Sequence, residues 1–93
     1  MLRQDHRYTV LLDPPARRAL ASGLPETVAA AARELITSAI AREPWRVGKP
    51  LQEPYEGLHV ARRGTYRVVY RIDEDKRTVT IQTIKHRRDA YRP

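Results

Sequence analysis

The apolar positions of this chain change period twice, and the two changes divide it into a helical part and a strand part. Tyr8-Thr9-Val10-Leu11-Leu12 is rich in β-formers and stops at Asp13-Pro14-Pro15, which predicts a first strand over 8–12. Asp13 suits a helix N-cap, and Pro14 stands where a missing N–H costs nothing, so a short helix runs from Pro14 to Ser22 with Gly23 as its stop. Pro25 opens a longer helix to Arg42. There Leu24, Val28, Ala31, Leu35 and Ala39, flanked by Ala32, Ile36 and Ile40, keep the three-to-four spacing of one apolar face. Pro44 closes it.

Residues 44–57 hold Pro44, Pro50, Pro54, Gly48 and Gly57, and read as an ordered loop with little regular structure. Alternating positions then predict three strands, Leu58–Arg62, Tyr66–Asp73 and Thr78–Lys85, joined at Gly64 and at Asp73-Glu74-Asp75-Lys76 as an antiparallel meander. In the middle strand Tyr66, Val68, Tyr70 and Ile72 face one way, and Arg67, Val69 and Arg71 the other. Tyr70, Val68 and Ile72 are expected in the core, with Trp45 and Tyr55 packed under the loop. The order β-α-α-β-β-β predicts an α+β fold: an N-terminal strand plus a helical hairpin packed on an antiparallel sheet.

At 93 residues the chain is read as a single domain over 1–93, with one core and a site confined to a shallow surface groove. It has no cysteine, which excludes disulfides, thiolate metal sites and a cysteine nucleophile. No stretch has the roughly 18 apolar residues needed to cross a membrane, and Met1 to Arg7 lacks an apolar signal core. No membrane partner and a cytoplasmic location are therefore expected.

Charge sharpens this picture because it is unevenly placed. Residues 1–44 hold six Lys+Arg against five Asp+Glu, and residues 45–93 hold twelve against six, so nearly all of the net +7 lies in the strand half. Only Lys49, Lys76 and Lys85 are lysines. Arginine forks onto phosphate oxygens and stacks on bases, so a polyanion such as nucleic acid is one reading. Solubility, or pairing with an acidic protein, is the other. The histidines are His6, His59 and His86, and no His, Asp or Glu cluster has metal-ligand spacing, so neither a metal site nor a cofactor is expected.

The motifs are more specific than the element order. Gly48-Lys49-Pro50-Leu51, the run Gly57-Leu58-His59-Val60-Ala61-Arg62-Arg63-Gly64-Thr65-Tyr66-Arg67-Val68-Val69-Tyr70-Arg71-Ile72-Asp73, and Ile84-Lys85-His86-Arg87-Arg88-Asp89-Ala90-Tyr91-Arg92 resemble the RelE branch of the RelE/ParE superfamily of type II toxins. The family pattern is a strand ending in Arg-x-Gly-x-Tyr-Arg-x-x-Tyr, an acidic turn, a strand, and a terminal His-Arg-x-x-x-Tyr. The Gly-Lys-Pro-Leu and Ala-Arg-Arg-Gly runs are similar to those of actinobacterial members. The resemblance implies an endoribonuclease toxin that cleaves mRNA on the ribosome without metal, neutralised by a cognate RelB-like antitoxin. Operator DNA would be reached only through that antitoxin.

Such cleavage has the RNA's own 2′-hydroxyl attack its phosphate. It needs a base, an acid for the leaving 5′-oxygen and a cation for the pentavalent charge. The resemblance assigns the cation to Arg67, the leaving-group side to Arg87, and a base or stacking role to Tyr91. Arginine's pKa near 12.5 or above makes it a poor proton donor, so Arg87 is read as chiefly electrostatic. Surrounding Arg62, Arg87, Arg88 and Arg92 would favour a Tyr91 phenolate.

Arg62, Arg63, His59, Lys49, Lys85, His86 and Arg88 are the candidate RNA contacts. Adjacent Arg62 and Arg63 must straddle the sheet, so at most one belongs in the site. Where well-studied RelE proteins present lysines on the first meander strand, this chain has His59, Val60 and Ala61. His59 is a candidate base only if it shares a face with Arg67; otherwise it is structural. Two other readings stay open: a ParE-like inhibitor of DNA gyrase, and a weak toxin that mainly binds its antitoxin.

Overall fold

The computed structural model describes residues 7–87. The strands are β1 (Thr9–Leu12), β2 (Lys49–Pro50), β3 (Leu58–Arg63), β4 (Tyr66–Asp73) and β5 (Thr78–His86). The helices are α1 (Pro14–Arg18), α2 (Glu26–Glu34) and α3 (Pro44–Val47). The five strands form one sheet in the order β1-β5-β4-β3-β2. The meander β3-β4-β5 is antiparallel as its turns require, and β2 joins the edge of β3 antiparallel. β1 instead pairs parallel with β5, because the helical hairpin carries the chain back across the sheet before the meander starts.

Both helices continue into wider-wound turns, α1 over Ala19–Gly23 and α2 over Leu35–Ile40. In the first the Leu24 N–H reaches back five residues to the Ala19 carbonyl at 3.0 Å. In the second Thr37 Oγ1 and Ser38 Oγ donate to the carbonyls of Arg33 and Glu34, four residues back, at 2.9 and 2.6 Å. Such back-bonding competes with the regular ladder, and it falls where the helix widens. The buried face is turned by about one residue from the expected one. Ala29 and Ala32 are buried with Leu35, Ile36 and Ile40, whereas Ala31, expected on that face, is exposed.

The core lies between these helices and one face of the sheet, where Ala61, Val68, Tyr70, Val79, Ile81 and Ile84 meet Leu24, Ala32, Leu35, Ile36 and Ile40. A bulge in β5 opposite Val69/Tyr70 shifts the register so that Ile84 and Ile81, three residues apart, both face inward. Ala61, Val68, Tyr70, Ile81 and Ile84 thus face the helices, while the opposite face of β3 and β4 carries Arg62, Arg67 and Arg71 with Leu58, Val60 and Val69 among them.

The stretch 44–57 is more regular than its prolines suggested. It contains α3 and the short strand β2, set in place by close packing at Gly48 and by the Tyr70 hydroxyl, which donates to the Pro44 carbonyl at 2.6 Å. Burial of Trp45 and Tyr55 is corrected: they are 54% and 57% exposed. The Trp45 ring lies across the edge of His59, while its indole N–H reaches the surface carboxylate of Glu74 at 2.8 Å. An indole with a polar partner at the surface has no need of the core. Among the described residues no helix is long and apolar enough to cross a membrane.

Candidate anion-binding site at the hairpin end of the sheet

Directly opposed residues on neighbouring strands present their side chains to the same face. Arg62 on β3 is opposed to Arg67 on β4, and Arg67 to Lys85 on β5, so three cations stand in one row across the sheet. The face they share is the one without helices, since Ala61, Val68 and Ile84, each one residue away, are buried in the core. The row ends beside the two-residue turn Gly64-Thr65. Gly64, at φ +53°, supplies the left-handed conformation that this tight hairpin needs.

The C-terminal end of β5 closes against the same turn, where the backbone N–H of Arg87 donates to the Thr65 carbonyl. An open depression of about 300 Å³ results, lined by Arg62, Gly64, Thr65, Tyr66, Arg67, Lys85, His86 and Arg87. Four of these carry a positive charge and none carries a carboxylate. Partly shielded Arg67 sits at the middle of the row, between exposed Arg62 and exposed Lys85. Among the described residues no carboxylate lines the depression, so its cations repel one another and the site is poised to gain from an anion that spans them.

Tyr66 is the lining residue that sequence reasoning passed over. Its alternation places it on the core side, against which it packs half-buried, and at the end of the strand it also borders the depression. Burial pushes its hydroxyl above the ordinary tyrosine range, partly offset by the nearby Arg63 charge. It is therefore a protonated hydroxyl at neutral pH, able to donate a hydrogen bond and unfit as a base. The legible signal was its place beside a tight turn that carries arginines on both sides.

Of the candidate residues, Arg62, Arg67, Lys85 and Arg87 line the depression, and His86, opposed to Tyr66 and so turned to the other side of β5, borders it at the strand end. Arg63 points to the other face beside Tyr66, and its guanidinium donates back to the Arg62 carbonyl at 2.7 Å. Lys49 is exposed on β2, opposed to Val60, on the cationic face but outside the depression. Tyr91 and Arg88 lie outside the described residues.

His59, a candidate RNA contact and a candidate base only if it shared a face with Arg67, does not share that face. His59 is opposed to Tyr70 and therefore lies on the helix side, 8% exposed, with its ring stacked on Tyr70 at 5.8 Å and Trp45 edge-on at 5.3 Å. Burial lowers its pKa from the ordinary value, and among the described residues its Nδ1 has no hydrogen-bond partner. It is a packing residue that cannot meet a strand of RNA on the cationic face. Nor do three His, Asp or Glu side chains come together as a metal-binding group among the described residues.

At the opposite end of the sheet, in the β4–β5 turn, Glu74 collects two donors. The Tyr8 hydroxyl and the Trp45 indole both reach its Oε1, at 2.7 and 2.8 Å, and Arg77 lies over the Tyr8 ring at 4.1 Å. Hydrogen bonds from Trp45 and then Tyr8 hold the Glu74 pKa below the usual carboxylate range. The cluster ties the N-terminal strand and α3 to the turn, at the other end of β4 from the cationic row.

A family model described as the ParE toxin of the type II toxin-antitoxin system parDE matches residues 3–91. The toxin RelG of Mycobacterium tuberculosis is 48% identical over 85 residues, covering 91% of this chain and 97% of that protein. The toxin RelE of the same organism is 45% identical over 91 residues, covering 98% of this chain and 93% of that protein. The crystal structure of the toxin-antitoxin complex RelBE2 from M. tuberculosis contains a chain 47% identical to this one, with a TM-score of 0.82 over 87% of this chain and 99% of that one. By the extent of the family match and the identity to these toxins, the chain belongs to the RelE/ParE superfamily of type II toxins.

Proposed function

We propose that this protein is an endoribonuclease that cleaves mRNA at the hairpin end of its sheet, without metal, and so inhibits translation in the cytoplasm. The observation that carries the reading is the cross-strand row Arg62–Arg67–Lys85, joined by Arg87 in an open depression whose lining has no carboxylate. Such a site accepts a phosphodiester and becomes more favourable as charge builds on it. In the reaction the 2′-oxygen bonds to phosphorus while the bond to the 5′-oxygen breaks. The products are a 2′,3′-cyclic phosphate and a 5′-hydroxyl. The 2′-hydroxyl proton goes to a base, and a proton is delivered to the leaving oxygen.

Arg67, in the middle of the row, is placed for the pentavalent phosphate, and fixed donors of this kind contribute roughly 10²–10³ in rate. Arg87 stands at the leaving-group side in the role that the family resemblance assigns, and Tyr91 carries the base role by resemblance alone. Tyr66, protonated, fits a donor role at the rim. Arg62, Lys85 and His86 hold the flanking strand. The antitoxin complex of the M. tuberculosis relative supports a RelB-like antitoxin as the cellular partner, with operator DNA engaged only through it.

The test is cleavage of mRNA on translating ribosomes by purified protein in excess chelator, with product ends mapped. The reading expects 2′,3′-cyclic phosphate ends in register with codons, and loss of at least 10²-fold with Arg67→Ala or Arg87→Ala. Toxicity retained in the double variant with intact mRNA refutes it. A second reading is favoured by the family model itself, which is that of ParE: inhibition of DNA gyrase without nuclease activity. A supercoiling assay decides between the two, and a chain that neither cleaves nor inhibits gyrase is a toxin reduced to antitoxin binding.

A further inference from the structure

The cationic face continues past the depression. Arg71 stands on β4 four residues beyond Arg67, on the same side, opposed by the uncharged Leu58 and Thr80. It is exposed, and among the described residues no carboxylate pairs with its guanidinium. The loop before β3 is shaped to leave it there: a Cβ on Gly57 would lie 2.5 Å from Arg71 Nη1, and Gly57 holds φ +88°. Asp73, the carboxylate next along the same face of β4, is committed elsewhere, its Oδ1 accepting the Lys76 backbone N–H at 3.1 Å. On the row between Arg67 and Arg71, edge strand β2 adds exposed Lys49, and Val60 and Val69 leave no competing charge between them.

We propose that Arg71, with Lys49, forms a second anion subsite that holds a phosphate of the RNA strand flanking the cleaved bond, so that the protein grips a longer stretch than it cuts. This rests on the RNA reading above. Four strand residues span ~13 Å, which is about four nucleotides of a stacked strand at ~3.4 Å each. A stacked trinucleotide seated at Arg67 spans ~7 Å and stops short of Arg71, and a decamer reaches it. Regularly spaced phosphates suit two cationic stations on one face of the sheet, with Val60 and Val69 in the row between them.

The experiment measures fluorescence anisotropy of a fully 2′-O-methyl decamer and trimer, which cannot be cleaved, with the whole protein. Arg71→Ala is expected to weaken the decamer by about five- to tenfold at low salt and to lower the slope of log K against log salt by about one. Trimer binding should be unchanged, as should the single-turnover rate of mRNA cleavage on translating ribosomes at saturating protein. The melting temperature should match wild type, because Arg71 is exposed. Equal losses on trimer and decamer, or no loss on the decamer, overturn the proposal. So does a loss confined to a decaglutamate peptide, which would assign the face to an acidic protein segment. If wild type binds the decamer but cleaves no mRNA on translating ribosomes, the nuclease reading fails, and the Arg71 subsite is still judged by its own decamer shift.

Discussion

One methyl group at position 48 would probe how the irregular middle of the chain is held. Gly48 is buried between α3 and β2, and a Cβ there would overlap the Tyr70 hydroxyl and crowd its ring carbons. Tyr70 cannot retreat. It is fully buried, stacked with His59, and its hydroxyl donates to Pro44 and is hydrogen-bonded by the backbone at Gly48. Gly48→Ala must therefore either shift α3 or break the Tyr70–Pro44 bond. Overpacking costs about 1–3 kcal/mol, and a buried carbonyl left without a partner about 1–3 kcal/mol. The two are alternatives in part, so a destabilisation of about 2–4 kcal/mol is expected. For a domain of this size that lowers Tm by roughly 10–25 °C.

Thermal and urea unfolding followed by circular dichroism measure it. The decisive comparison is a double-mutant cycle with Tyr70→Phe. Removing the hydroxyl clears space for the new methyl, so the double variant should be more stable than the sum of the single losses by about 1 kcal/mol or more. A Gly48→Ala protein as stable as wild type, or strict additivity with Tyr70→Phe, would refute the argument from packing.

Other consequences concern charge and proton uptake. Burial holds the His59 pKa below 6.5, so the unfolded chain takes up a proton before the folded one does. The stability associated with His59 is then complete above pH 6.5 and falls as pH drops toward its folded value, at no more than about 1.4 kcal/mol per pH unit. His59→Phe should remove that acid dependence in urea titrations between pH 7 and 5; an unchanged pH profile would count against a neutral buried imidazole. Burial raises Tyr70 to about 12, so its contribution is complete below pH 10 and lost as pH climbs through about 12. Tyr70→Phe should flatten stability measured across that alkaline window. Trp45 is the sole tryptophan, so its fluorescence reports on Glu74 directly. Acid titration should shift the emission with a midpoint below the usual carboxylate value, and Glu74→Gln should abolish that transition. At the proposed site, Arg67→Lys keeps the charge but loses the fork, and should recover only part of the cleavage lost in Arg67→Ala.

Much of this molecule follows from the chain read locally. The alternation of Tyr66, Val68, Tyr70 and Ile72 against Arg67, Val69 and Arg71 is a period-two signal, and the backbone pleat turns it into two faces without further information. Turn residues at Gly64 and Asp73 set strand lengths within a residue, and a meander with such short turns can only be antiparallel. The charge asymmetry and the motifs around Arg67 and Arg87 are likewise local. Tertiary structure alone decided what depends on pairing between distant segments. β1 lies parallel to β5, and the bulge in β5 lets Ile81 and Ile84 share a face that simple alternation would deny them. Register assigned Arg62 to the cationic row and Arg63 to the other side, and it moved His59 away from Arg67 into a stack on Tyr70. Trp45 surfaced because Glu74, 29 residues away, offers its indole a partner. The physical reason is the same throughout: a residue's own preferences set which way it alternates, but which neighbour lies beside it is settled by strands and loops that meet only when the chain has closed on its core.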